Sequence, residues 1–349
     1  MRMIVTPEFC VRSSGVECKR CRIACPVSAI SWDPESSTPI IDDDACTNCG
    51  VCMGICDAFA SSSTSLHALY EHLRRVAMRG DVVYLTCKEN LFPGFKPANN
   101  VTVLPCLACI PLEMWTLLLA QNVPLCLACD LNYCDDCNVA PHRGEMLFSR
   151  SIEIAEKYSG GEVHWDREIP EFEERFSSKN SNQIGRREAF DSLKGDAIDI
   201  ATGKRRLKNS DTLKDLYRKK ERKRMQEKLN LIDGEIINRF TESGRSKRIL
   251  LPRRRMLLEA VLAKPETADR TTLAVSETDK DLCAACLECT KTCPTGARIP
   301  SPKNGSLDYI ARFCIGCGAC VDACPREAID IREATITEIA PDLVETPSH

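Results

Sequence analysis

The 23 cysteines of this 349-residue chain stand in three blocks, Cys10 to Cys56, Cys87 to Cys137 and Cys283 to Cys324. Nearly 150 residues between the second and third blocks contain none. What holds so many thiols decides what the chain can fold into: disulfides, metal, or thiol redox chemistry. No charged, apolar and small leader opens the chain, which begins MRMIVTPEFC. No run of about 18 apolar residues predicts a membrane span. A cytoplasmic setting is therefore expected, where thiols stay reduced and more often bind metal than build a disulfide framework. The length suggests two or three domains, and apolar and charged fractions of 43% and 28% allow a buried core.

The most specific signal lies near the C-terminus. Cys283, Cys286, Cys289 and Cys293 read C-x2-C-x2-C-x3-C before Pro294, and Cys314, Cys317, Cys320 and Cys324 repeat the spacing before Pro325. The two-residue gaps let a tight loop wrap three corners of a cubane, while the fourth cysteine of each run reaches the other cluster. One 4Fe–4S cluster is thus expected on Cys283, Cys286, Cys289 and Cys324, and its mate on Cys314, Cys317, Cys320 and Cys293. Zinc sites do not use eight cysteines in this doubled pattern. The segment, including CPTGA and CPREAI, resembles the bacterial two-cluster ferredoxins over about 55 residues.

The first block resembles the same family with two departures. Cys46, Cys49, Cys52 and Cys56 keep the spacing, but Asp57 stands where proline is usual. In the other run Cys18, Cys21 and Cys25 precede Pro26, and Gly15 occupies the position of the first cysteine. Cys10, five residues earlier, is the candidate replacement. The swap rule then implies one cluster on Cys46, Cys49, Cys52 and Cys25 and another on Cys10, Cys18, Cys21 and Cys56. The alternative for Cys10 is a buried free thiol, leaving that cluster three-iron or labile.

The middle block lies in a different pattern. Leu66, Leu69, Tyr70, Leu73 and Val76 share one helical face. Short apolar runs at 82–85, 101–104 and 123–127 read as strands, 111–121 and 145–158 as helices, and a further strand is expected near Val163. Alternating strands and helices predict a small parallel α/β sheet. Parallel strands put their carboxyl ends on one edge, where ligands collect, so Cys87, Cys106, Cys134 and Cys137 are expected to meet there in a further metal site. Cys109, Cys126 and Cys129 are substitute ligands. Four thiolates suit an iron–sulfur cluster or zinc, and packing thiols without metal remain an alternative. Stretches such as YLTC, VLPC and CDDC resemble the cysteine-bearing subunits associated with hydrogenases and heterodisulfide reductases, which implies iron–sulfur at the same four cysteines.

The expected architecture is α+β: a dicluster ferredoxin module at 1–62, a cysteine-rich α/β domain at 63–165, a charged helical segment at 166–276, a second dicluster module at 277–335 and a tail at 336–349. Within the charged segment, 204–228 holds twelve Lys/Arg against four Asp/Glu. It reads as a solvated helix or as a docking surface for an acidic partner. Arg253, Arg254 and Arg255 form a second basic cluster before an apolar run. No G-x-G-x-x-G or Walker loop supports nucleotide or flavin binding, aromatic residues do not interleave with the basic stretch as nucleic-acid stacking requires, and His142 reads as a surface or capping residue. The expected function is electron transfer through four 4Fe–4S clusters, as a carrier or subunit serving a partner oxidoreductase, with no nucleic acid and no membrane span. A metal-stabilised scaffold binding a macromolecule through the basic helix, or a thiol–disulfide oxidoreductase using the middle cysteines, are the competing readings.

Overall fold

The computed structural model describes residues 2–172, 248–301 and 303–344; the basic stretch 204–228 lies outside them. In the first cysteine block, strands β1 (Met3–Val5) and β4 (Phe59–Ser61) pair antiparallel, as do β2 (Ile30–Trp32) and β3 (Pro39–Ile41). Helices α1 (Arg20–Ala24) and α2 (Val51–Ile55) connect them. Both helices are short because a cysteine loop precedes each and a cysteine ends it. Cys25 caps α1 with extended backbone, as expected of a residue before proline, whose ring clashes with a helical predecessor.

The middle segment opens with α3 (Leu66–Met78), capped by the Ser65 side chain accepting from the Ala68 N–H. Its buried face is Leu69, Tyr70, Leu73 and Val76. Then follow β5 (Val83–Cys87), β6 (Val101–Leu104), α4 (Leu112–Ala120), β7 (Leu125–Ala128), α5 (Asn132–Asp135), α6 (Gly144–Ser159) and β8 (His164–Asp166). The expected parallel sheet is present: all its pairings are parallel, in the order β6-β5-β7-β8. Helix α4 is buried from Met114 to Ala120, the mark of a helix covered on all sides; it packs against α6 and against α7 (Pro252–Ala263).

After α7, strand β9 (Thr272–Thr278) leads into the last cysteine block, with α8 (Glu288–Thr292), the hairpin β10 (Arg298–Pro300) and β11 (Leu307–Tyr309), α9 (Ala319–Asp322) and β12 (Ile329–Thr335). This repeats the plan of the first block. The outer pair is longer, with seven residues of β9 and β12 in antiparallel register from Thr272↔Thr335 to Thr278↔Ile329. The added ladder backs a core of Val275, Ala334, Ile336 and Ile339 that also takes in Leu257, Leu258 and Val261 of α7.

Helix α7 is thus the joint of the molecule. Two of the arginines at its start are buried or nearly so. Arg253 makes a two-pronged ion pair with Glu113 of α4, Nε to Oε2 at 2.8 Å and Nη2 to Oε1 at 3.0 Å. Its backbone N–H donates to Asp57 Oδ1 at 3.2 Å. Arg254 Nη2 donates to the Cys314 carbonyl at 2.6 Å. Burial pushes the Asp57 carboxyl up to about 6, against the pull of Arg253. On another face, Gly54 of α2 meets the Ala108 carbonyl so closely that a Cβ there would overlap the oxygen. Thr47 Oγ1 donates to the Val139 carbonyl at 2.6 Å, and Arg143 reaches the Ile23 carbonyl.

Replacing Arg253 by Met leaves Glu113 without its ion-pair partner and takes the cation from beside Asp57, which keeps the backbone N–H, and is expected to cost about 3–5 kcal/mol, read as a fall in the unfolding midpoint. Gly54→Ala should cost about 1–3 kcal/mol by overpacking a backbone contact, whereas Gly80→Ala, where nothing stands within 4 Å of the added carbon, answers only for its left-handed backbone.

Candidate metal centres

Two small cavities occupy equivalent places in the two end blocks. One is walled by Cys25, Cys46, Cys49 and Cys52 together with Ala29, Ile30 and Ile41. The other is walled by Cys293, Cys314, Cys317 and Cys320 together with Ser276, Ala297 and Arg298. In each, three cysteines come from one loop and the fourth from the other run of the same block. Burial, and then Cys293, Cys314 and Cys320, push the Cys317 thiol up to about 12, despite a backbone hydrogen bond that opposes them. Burial likewise raises Cys52, with Cys49, Cys46 and Cys25 adding to it.

The other two sets belong to the same two blocks. Burial followed by Cys56, Cys18 and Cys10 drives Cys21 up to about 12, so Cys10, itself buried, faces the remaining three. Two 3-10 turns, Pro7–Phe9 and Val11–Ser14, bring it there in place of the missing cysteine. Arg12 ties this detour down, donating to the Ser37 carbonyl at 2.7 Å and the Cys18 carbonyl at 3.1 Å while lying 4.3 Å over the Trp32 ring. In the last block, Cys289 stands close enough to Cys283 to be raised by it, after burial, and Cys283 and Cys286 are exposed.

The loops are shaped to receive an anion. Asn48 and Gly50 flank Cys49 with φ of 57° and 81°, Gly316 and Gly318 flank Cys317 at 62° and 84°, and Ala285 and Leu287 flank Cys286 at 52° and 63°. Alternating right- and left-handed residues turn successive N–H groups toward one point, a concavity found around phosphates and iron–sulfur sites. Gly316 is also required by space, since a Cβ would sit 2.7 Å from the Ala274 carbonyl oxygen. Further N–H groups donate to sulfur: Ala29 to Cys25 and Ala328 to Cys324, both at 3.3 Å, and Ser276 to Cys314 at 3.3 Å. After three of the fourth cysteines the chain turns through a left-handed residue, Ser28, Gly296 or Glu327. After the fourth there is neither proline nor a left-handed residue: Ala58 bonds Cys56 Sγ at 3.4 Å, the Phe59 N–H bonds the Cys56 carbonyl at 3.2 Å, and this turn leads into β4, leaving Asp57 for Arg253.

The middle cysteines meet at the carboxyl edge of the sheet. Strand order changes direction between β5 and β7, so the crevice lies beyond their ends. Cys87 closes β5, and the parallel register Val83↔Leu125, Leu85↔Leu127 sets Cys129 level with it. Burial, then Cys87 and Cys134, push Cys129 up to about 12; burial, then Cys87, Glu145 and Cys137, do the same to Cys134. Asn90 clamps the edge, donating to Cys87 Sγ at 3.0 Å and accepting from the Asp130 N–H at 2.8 Å. Ala140 donates to Cys137 Sγ at 3.3 Å. Cys106 is raised well above its usual value by burial, with Cys109, Cys49 and Cys87 contributing. Cys129, which spacing treats only as a substitute, therefore stands with the group, and the signal for it is strand register. Burial and then Asp166 raise Cys126, which adds a smaller push to Cys129.

Among the described residues, no three His, Cys, Asp or Glu side chains gather tightly enough for one metal ion. A tetrahedral zinc needs its sulfurs about 2.3 Å away, whereas a cubane spreads its four thiolates over separate iron corners. Ligation requires thiolates, and these thiols are reluctant ones, so a cationic iron core would bind them with release of protons. The donor set, the N–H groups and the cavities all fit 4Fe–4S.

A family model described as a 4Fe-4S dicluster domain matches residues 276–325, and a second with the same description matches 16–60 and 313–346. The chain carries 4Fe–4S dicluster domains at both ends. Over 86 residues it is 35% identical to an iron-sulfur protein of Rhodospirillum rubrum, covering 24% of this chain and 44% of that protein. Over 48 residues it is 42% identical to the iron-sulfur subunit of the nitrate-inducible formate dehydrogenase of Escherichia coli (strain K12), covering 13% of this chain and 16% of that one. The corresponding figures for the formate dehydrogenase iron-sulfur subunit of Haemophilus influenzae are 44%, 13% and 15%. The chain thus spans less than half the length of these relatives. No solved structure matches. No described helix is long and apolar enough to cross a membrane. These findings support an iron–sulfur electron-transfer role.

Cys109 is buried beside Cys106, its thiol pushed up to about 12 by burial and then by Cys49. The thiolate is the reactive form, and such a thiol is largely un-ionised at pH 9. It should resist alkylation in the native protein and react only on unfolding, as peptide mapping after anaerobic iodoacetamide treatment would read.

Proposed function

We propose that the chain is a multi-cluster electron relay, a subunit or carrier that passes single electrons to or from a partner oxidoreductase. The observation that carries this reading is the pair of equivalent cavities, each walled by four cysteines from both runs of its block. In this reading four 4Fe–4S clusters are held by Cys25, Cys46, Cys49 and Cys52; by Cys10, Cys18, Cys21 and Cys56; by Cys293, Cys314, Cys317 and Cys320; and by Cys283, Cys286, Cys289 and Cys324. Cys87, Cys106, Cys134 and Cys137, with Cys129 beside them, hold a further iron–sulfur centre. When bound, each cluster takes up or releases one electron.

The chain's own residues supply contact between neighbouring centres. Cys49 lies close enough to Cys106 to raise it, linking the first block to the middle site. Asp57, next to Cys56, is bonded by the Arg253 N–H, and the adjacent Arg254 bonds the Cys314 carbonyl, linking the two end blocks through the start of α7. The exposed Cys283 and Cys286 make the last centre the natural point of exchange with a partner. The names of the formate dehydrogenase relatives support an oxidoreductase as that partner.

Anaerobic analysis of the full chain should find about sixteen irons and as many sulfides for four cubanes, more with a cluster in the middle site, and an absorption band that dithionite bleaches. Values near eight would leave one end block without clusters, and one equivalent of zinc would make the middle site structural. Cys293→Ala should damage the centre at Cys314, Cys317 and Cys320 more than the one at Cys283, Cys286 and Cys289. Paramagnetic resonance showing the reverse would refute the crossed ligation.

A further inference from the structure

The two cavities are walled by corresponding stretches of their blocks, and at one corresponding position an apolar side chain gives way to a charged one. Ile30, five residues after Cys25, lines the first, and Arg298, five residues after Cys293, lines the second. Each opens the inner hairpin of its block and pairs across it, Ile30 with Ile41 and Arg298 with Tyr309. An apolar pair on one inner hairpin is thus replaced by a cation and a phenol on the other.

Arg298 is 1% exposed. Its guanidinium donates to Ser276 Oγ through Nε at 3.2 Å and Nη2 at 3.0 Å, and to Thr278 Oγ1 through Nη1 at 2.7 Å. It lies 4.6 Å over the Tyr309 ring. Every one of these partners is uncharged, and among the described residues no carboxylate is within ion-pair distance of it. A buried charge without a counter-charge is costly, so the cavity asks for an anion. Thiolate-ligated iron–sulfur is one. Arg298 lines the cavity together with Cys293, Cys314, Cys317 and Cys320, which sets its charge beside that ligand set. Ser276 extends the effect: its Oγ accepts from Arg298 and lies 3.6 Å from Cys314 Sγ, to which its own proton is free to turn. In the first block the corresponding position is the apolar Ile30, with Ile41 beside it, and the residues leading into Cys46 include the carboxylates Asp42 and Asp43.

We propose that Arg298, directly and through the Ser276 hydroxyl, raises the reduction potential of the C-terminal clusters, so that the cluster at Cys293, Cys314, Cys317 and Cys320 lies above its counterpart at Cys25, Cys46, Cys49 and Cys52. Reduction adds one electron and hence one negative charge, with no bond made or broken and no proton moved. A fixed buried cation favours the reduced form, as do hydrogen bonds to the ligand sulfurs. One electron then leaves the N-terminal centre, which is oxidised, and enters the C-terminal centre, which is reduced. The last block is acidic, with twelve Asp/Glu against seven Lys/Arg from 277 to 349; that excess acts the other way, but exposed charges are screened by salt and a buried one much less.

The inference rests on the electron-relay reading. Its test is a potentiometric titration of the anaerobically purified full chain, followed by paramagnetic resonance. Arg298→Met should lower the midpoint of the C-terminal signals enough to change the oxidised-to-reduced ratio at least tenfold at a set potential, about 59 mV for one electron. Arg298→Lys, which keeps the charge, should stay near wild type. Where Arg298→Met fails to take up its iron, Ser276→Ala tests the same field through the hydroxyl and should lower the midpoint at Cys314. Full iron with unmoved midpoints in these variants, or wild-type N-terminal clusters that titrate at or above the C-terminal ones, overturns the proposal while leaving the relay standing. A chain with no dithionite-reducible cluster removes both.

Discussion

Gathering four sulfurs around one point, from loops that are each too short to supply all four, is the constraint on which the rest of the end blocks depends. Three cysteines on a two-residue spacing wrap one side of a cavity, and the fourth wall must come from elsewhere in the block. Cys25 therefore stands with Cys46, Cys49 and Cys52, and Cys293 with Cys314, Cys317 and Cys320. Neither run can reach its conformation alone, which is why helices as short as α1 and α2 and hairpins of three-residue strands persist. Left-handed residues such as Ala285 and Leu287, costly in an ordinary loop, are held by the same requirement.

A second constraint ties the blocks to one another. The start of α7 sets two arginines among three parts of the chain: Arg253 on Glu113 and Asp57, Arg254 on the Cys314 carbonyl. Buried ion pairs are not strong sources of stability, because desolvation offsets most of their attraction, but a partner left alone is severely destabilising. They act as a register, holding cysteine-bearing loops from distant parts of the sequence at fixed spacing. The departure at Asp57 belongs to this joint: the residue that breaks the cysteine–proline pattern is the one that α7 grips.

Much of this was legible in the residues. Doubled cysteine spacing pointed to dicluster domains at both ends, since no other common chemistry uses eight cysteines this way. Alternating apolar runs and helical faces pointed to the parallel sheet, and 101–104 coincides with β6. Local spacing and periodicity carry such information because they act over a few residues.

What the tertiary structure alone decided lies at longer range. Cys129 stands beside Cys87 because parallel register, not spacing, sets β7 against β5. Arg253 and Arg254 read only as part of a second basic cluster until α7 is seen wedged between α4 and the last block. Arg298 carries no signal in the local sequence; only pairing with Tyr309 and closure over Ser276 and Thr278 bury it. The amino-acid sequence thus determined which atoms are available to bind metal. Packing between segments tens to hundreds of residues apart decided which of them meet, and which charges they meet beside, because burial and register depend on the chain as a whole.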